Sequence, residues 1–265
     1  MSVLILPKIT NNDAIYGEII ESTIGYNKSA RKRNLVYGIT TRSLPHPKYV
    51  NIPLTNIISE PDGQNDHKYI VSNLKDYADT LICLMVAVKL NPGEIIIIIS
   101  PSQEHKLLHP FVHWSLKFKS KPLVYCISSG HKYRDSHIKN NNCSQTEYMK
   151  IVEKVEDIQH DVLIRTSNIG VPCVIILPPT EFKYPVSQSS VHRISLSILG
   201  VAGKLVWLEE IGQIDSCECQ CVFSKNLTIS FYNSDVIWKS GTHSKICQYA
   251  IKESVNYLTY VRNKN

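Results

Sequence analysis

Asn91-Pro-Gly-Glu-Ile-Ile-Ile-Ile-Ile-Ser100 decides the fold class, because an apolar run this short, preceded by Pro-Gly, reads as a strand buried on both faces. It is too short to span a membrane. The preceding segment, Tyr77-Ala-Asp-Thr-Leu-Ile-Cys-Leu-Met-Val-Ala-Val-Lys-Leu90, spaces its apolar residues as a helix and ends at the Asn-Pro-Gly breaker. Helix, turn and central strand in that order make half of an α/β crossover.

Working outward, 265 residues are enough for one substantial core with a smaller appended region. Met1-Ser-Val-Leu-Ile-Leu-Pro-Lys8 has neither a basic start nor a useful apolar stretch, so no secretory signal is read there. The expected location is inside a cell, cytoplasmic or nuclear. Eight cysteines at irregular spacing then read as reduced thiols and core fillers. The Asn-x-Ser/Thr matches at Asn27, Asn142 and Asn226 are idle in that setting. A net charge of +6 and a pI near 8.8 fit a polyanionic partner, and are also common among proteins with none.

Up to about residue 158, strand-like segments (Ala14–Glu21, Leu35–Ile39, Asn56–Ser59, Glu94–Ser100, Leu123–Ile127, Tyr148–Glu153) alternate with helical ones at His67–Leu90 and His105–Lys119. Arg134–Ser144 reads as an exposed loop. Beyond residue 158 come short β-rich pieces, Asp161–Ile164, Val171–Leu177, Lys204–Glu209, Cys217–Phe223 and Thr228–Phe231, then a closing helix Lys245–Val261. The expected architecture is α/β. It places a Rossmann-like, mostly parallel sheet in residues 1–158 and an appended C-terminal α+β region in 159–265, with Glu94–Ser100 inside the sheet and Leu123–Ile127 and Tyr148–Glu153 nearby.

Four stretches in order carry a family resemblance. They are Ile19-Ile-Glu21-Ser-Thr-Ile-Gly25-Tyr26-Asn-Lys-Ser29, Asn34-Leu-Val-Tyr-Gly38-Ile39-Thr40-Thr41, Asn56-Ile-Ile-Ser59-Glu60-Pro-Asp62-Gly63, and Cys143-Ser-Gln-Thr146-Glu147-Tyr148-Met-Lys-Ile151. Taken together, residues 21–154 resemble the FtsJ/RrmJ-type RNA ribose 2′-O-methyltransferases, which include cap methyltransferases of eukaryotes and viruses. The resemblance implies S-adenosylmethionine as cofactor, with Glu21, Gly25, Tyr26 and Thr40 at its site. It puts Glu60 and Glu147 on the catalytic carboxylates and leaves Lys8 to stand for the first catalytic lysine.

That chemistry needs a lysine held near neutrality to take the ribose proton, and a glycine-rich turn where the backbone meets the cofactor. Here Ile99 stands at the central lysine position, and Thr23-Ile24 replaces Pro-Gly in the turn. The resemblance therefore implies a degenerate member with weak or absent cofactor binding. A non-catalytic RNA- or protein-binding subunit on the same fold stands beside the enzyme reading.

Lys28, Arg31, Lys32 and Arg33 form a basic cluster that reads as RNA phosphate contact or as a solvated helix face. His105, His109 and His113 recur every four residues, but Pro110 interrupts them and no local carboxylate or cysteine completes a metal site. Cys217, Cys219 and Cys221 alternate, so a strand would turn all three thiols the same way, which reads as a buried apolar face with zinc binding as the alternative. A third reading takes His113-Trp-Ser-Leu and Cys247-Gln-Tyr-Ala-Ile, which resemble motifs of lecithin:retinol-acyltransferase-like thiol enzymes. Cys247 would then be a nucleophile with a lowered pKa. The wealth of Ile, Asn and Lys fits an AT-rich viral or invertebrate genome, so the cell in question includes a virus-infected host.

Overall fold

The computed structural model describes residues 2–11, 13–22, 35–40, 49–60, 66–127, 149–179, 187–208 and 214–264. They form two compact units, Met1–Ile82 with Ser234–Asn265, and Cys83–Asn233. The domain boundary expected near residue 158 falls within the second of these.

The first unit opens with β1 (Ser2–Asn11), β2 (Ala14–Ser22), β3 (Leu35–Ile39), β4 (Val50–Pro53) and β5 (Ile57–Ser59), arranged as β4-β1-β2-β3-β5. Every pairing is antiparallel. This corrects the expectation that residues 14–59 feed the parallel sheet. The link from Asn11 to Ala14 is long enough for a hairpin, whereas parallel neighbours need a crossover of a dozen residues or more. Pro7, which cannot donate to a ladder, sits where the β1–β2 register shifts. Ile5, Ile15, Val36, Val50, Ile52 and Ile57 form the core of this sheet.

Helix α1 (His67–Cys83) follows and runs into a π-helical turn, Leu84–Val88, that ends where Lys89 adopts a left-handed conformation at φ 53°. The Asn91-Pro-Gly-Glu94 turn then closes as its residues dictate. Glu94 N–H donates to Asn91 O at 3.3 Å, the Asn91 amide donates to Glu94 Oε1 at 2.7 Å, and Gly93 takes φ 86°.

The second unit then alternates strand and helix: β6 (Ile95–Ser100), α2 (Leu108–Lys117), β7 (Lys121–Ile127), β8 (Met149–Val152), α3 (Val155–Arg165), β9 (Val171–Ile176), α4 (Gln188–Ile198), β10 (Leu199–Trp207), α5 (Ser216–Ser224) and β11 (Thr228–Phe231). Its six strands are parallel in the order β11-β10-β9-β6-β7-β8. Ile96, Ile97, Ile98 and Ile99 are each 0% exposed, so both faces of β6 are covered as the run requires. Burying each isoleucine contributes about 1.5–3 kcal/mol.

Two expected strands are helices. Asp161–Ile164 lies in α3, and Cys217–Phe223 lies in α5. The alternating cysteines satisfy a period of two, but Asp215 and Glu218 close a reciprocal capping box that starts a helix at Ser216. Cys217 and Cys219 are consequently exposed and Cys221 half-buried, instead of sharing one buried face.

The chain then returns to the first unit as α6 (Ser234–Ser240) and α7 (Ser244–Lys264). On α7, Cys247, Ala250, Ile251, Ser254, Val255 and Leu258 recur at helical spacing and are buried. Among the described residues, no helix is long and apolar enough to cross a membrane.

Candidate cofactor crevice

In an open parallel sheet, ligands bind beyond the carboxyl ends of the strands, where the strand order reverses. Here that place is β6, with β7 on one side and the later strand β9 on the other. Residues 101–107 after β6 and 177–179 after β9 therefore border it.

The turn after β6 is held by its own side chains. Ser100 Oγ donates to Ser102 O at 2.6 Å, and Ser102 Oγ accepts from Glu104 N–H at 3.1 Å. His105, only 4% exposed, accepts the Leu107 N–H on Nδ1 at 3.2 Å. That leaves the ring proton on Nε2, which donates to Pro178 O, just beyond β9, at 3.0 Å. His105 thus spans the reversal point from one strand end to the other.

Helix α2 starts without a side-chain cap. Its first N–H, on Leu108, donates to His105 O at 2.9 Å, and its third residue, Pro110, has no N–H. With the Leu107 N–H taken by the His105 ring, three of the four groups that a helix start leaves for an anion are thus unavailable. Gln103 Nε2, in the same turn, is buried and has no hydrogen-bond acceptor among the described residues.

The residues singled out from the sequence are scattered. Lys8 on β1 lies 3.6 Å from Glu18. Glu60 accepts from Tyr16 O–H at 3.1 Å and lies 3.4 Å from His67 Nε2, whose Nδ1 is 2.7 Å from Tyr37 O–H. Thr40 donates its N–H to Asp13 O at 2.7 Å, and Glu21 lies in β2. All belong to the first unit, whereas Ile99 belongs to the second. Gly25, Tyr26, Lys28, Arg31, Lys32, Arg33 and Glu147 lie outside the described residues. Among the described residues, no cluster of His, Cys, Asp or Glu is arranged to hold a metal ion.

His113 and Cys247 belong to different units, and burial pushes the Cys247 thiol up to about 11, away from a nucleophile's range. In the sequence, His105 stands only as the first of three histidines spaced four residues apart. A residue's bond to a strand end 73 positions away leaves no local trace.

No protein-family description and no curated protein matches the sequence. Solved structures do match in fold. A mycobacterial protein solved with NADPH aligns at a TM-score of 0.69 and 11% identity, over 96% of this chain and 79% of that one. A quinone oxidoreductase of Pseudomonas syringae pv. Tomato aligns at 0.69 and 13% identity, over 97% and 79%. The CurK enoyl reductase aligns at 0.64 and 13%, over 99% and 80%.

The chain shares the fold of these structures, with one unit built on an antiparallel sheet and the other on a six-stranded parallel sheet. These neighbours overturn the methyltransferase resemblance and with it S-adenosylmethionine, the RNA cap and RNA binding. They also leave the thiol acyltransferase reading without support. The resemblance misled because a Pro-Gly turn leading into a buried strand is common to both kinds of parallel sheet. The flanking stretches, matched to parallel strands, belong to an antiparallel sheet.

The residues present do not fit NADPH at this crevice. A pyrophosphate is held where glycines let the backbone approach and helix N–H groups point at it. No glycine occurs between Gly93 and Gly130, so every position of the turn after β6 carries a side chain. The buried His105 ring and its bond to Pro178 O cross the space between the two strand ends.

Proposed function

We propose that this chain is a reductase-type oxidoreductase domain that keeps the frame of a nicotinamide-dependent enzyme while its crevice is closed to the dinucleotide. The fold of quinone and enoyl reductases supports the frame. The closure rests on one observation, the His105 bridge to Pro178 O at the reversal point of the sheet.

Titration of the protein with NADPH and NADP⁺, followed by nicotinamide fluorescence and calorimetry, tests the reading. No saturable binding is expected, and no NADPH oxidation with 2-enoyl thioesters or quinones. Saturable binding with hydride transfer to either acceptor overturns it.

A second reading, an intact NADPH-dependent reductase whose turn rearranges around the cofactor, is favoured by Gln103 Nε2. A phosphate or ribose oxygen would satisfy that buried donor. The same titration separates the two readings.

A further inference from the structure

We infer that the Glu218–His192 pair and the Trp207 indole enclose a binding site for one hydroxyl oxygen, filled by a single long-lived water. The site lies apart from the turn after β6 and does not depend on the reading above. Trp207 ends β10, His192 stands in the second turn of α4, and Glu218 is the third residue of α5, so the three meet near the starts of both helices.

Their hydrogen-bonding capacity decides what fits. The Glu218 carboxylate accepts at both oxygens, from Asp215 N–H at 2.9 Å and from His192 Nδ1 at 2.8 Å, and a carboxylate can only accept. The ring proton of neutral His192 is therefore on Nδ1. That leaves Nε2 as an acceptor, whereas the indole Nε1 of Trp207 can only donate. Both nitrogens are buried, and neither has a partner among the described residues. They do not bond each other, although the two rings stand edge to face with centres 5.1 Å apart.

A lone acceptor beside a lone donor requires a group that gives a proton to the first and takes one from the second. A hydroxyl does both at one atom, and two bonds of about 2.9 Å through one oxygen match the scale of the ring separation. An anion, which only accepts, or an ammonium, which only donates, would leave one nitrogen unpaired. Trp207, His192 and Glu218 are 1%, 2% and 4% exposed, so the hydroxyl that suits the space is water. Such a water leaves only when the unit opens locally, which makes its residence long. It extends the Glu218–His192 contact into one chain of hydrogen bonds from the cap of α5 to the end of β10.

Three measurements test the site. In crystals grown without alcohols, at a resolution that shows waters, one density peak is expected within about 3.2 Å of both His192 Nε2 and Trp207 Nε1. In solution, magnetisation transfer from water to the Trp207 indole proton should carry the sign of a slowly exchanging bound water. Imidazole nitrogen shifts should show His192 protonated on Nδ1 and accepting a bond on Nε2, and in Trp207→Phe the Nε2 shift should move towards that of an unbonded nitrogen. Should that variant fail to fold, the measurements on the unmodified protein decide. Absence of the peak, absence of the bound-water signal, or a proton on Nε2 overturns the site. Density too large for one oxygen makes the occupant an organic hydroxyl compound and overturns the assignment to water.

Discussion

The indole N–H of Trp238 donates to the carboxylate of Asp79 across 2.5 Å, tying α6 to α1. The same carboxylate lies 2.9 Å from Lys75 Nζ, which also reaches Asp235 at 3.2 Å. Burial would push Lys75 down, but Asp79 and Asp235 together hold it above the ordinary lysine value. These contacts fasten the returning C-terminal segment to the first unit.

Asp79→Ala should therefore cost about 3–5 kcal/mol, because it removes the nearest carboxylate of a largely buried ammonium, which keeps only its longer contacts to Asp235 and Asp13, and leaves the indole N–H without its acceptor. Trp238→Phe, which removes one hydrogen bond and keeps the ring, should cost about 1–2 kcal/mol. Urea unfolding of both variants measures the difference. Equal losses would show that the ion pair contributes nothing beyond the indole bond.

A second buried pair joins α4 to α5. His192 Nδ1 lies 2.8 Å from Glu218 Oε1, and the two side chains are 2% and 4% exposed. Glu218 Oε2 meanwhile accepts the Asp215 N–H at 2.9 Å. Glu218→Ala removes the cap and leaves His192 unpaired, an expected loss of about 2–4 kcal/mol. Glu218→Gln, which keeps an acceptor, should lose clearly less. Thermal melts in which Gln and Ala behave alike would contradict this account.

The thiols divide by burial. Burial pushes Cys126 and Cys173 up to about 12 and Cys247 up to about 11, whereas Cys217 and Cys219 are exposed on α5. A maleimide applied to the folded protein at neutral pH should label Cys217 and Cys219 within minutes and spare the other three until denaturant is added. Mass spectrometry of the digested adducts reads the pattern. Early labelling of Cys247 would contradict its placement on the buried face of α7.

His113 gives the pH dependence. Burial, followed by repulsion from His109 and Lys117, lowers its pKa from 6.5 to about 4. The unfolded chain therefore binds more protons in that window, and stability falls as the pH drops from about 6.5 towards 4. The urea midpoint should decline across this range, and His113→Gln should flatten the decline. A midpoint that tracks pH identically in both proteins would assign the effect elsewhere.

The Pro-Gly turn, the all-buried β6, the strand Thr228–Phe231 and the amphipathic closing helix were legible in the sequence, because each is set by residues within one or two turns of chain. Where two local signals competed, the sequence misled. At Cys217–Cys221 the period of two yielded to a capping box. Strands β2, β3 and β5 were visible as strands, but nothing in their own residues sets a partner's direction.

What the chain by itself determined is local: which segments are buried, where turns fall, and that the turn after β6 carries no glycine. Tertiary structure decided the rest. It alone put β6 between β7 and β9, brought the chain's end back to its first sheet, and aimed His105 at the Pro178 carbonyl. Such contacts join residues far apart in sequence. Their energies depend on which surfaces meet when all the strands pack, so no window of neighbouring residues encodes them.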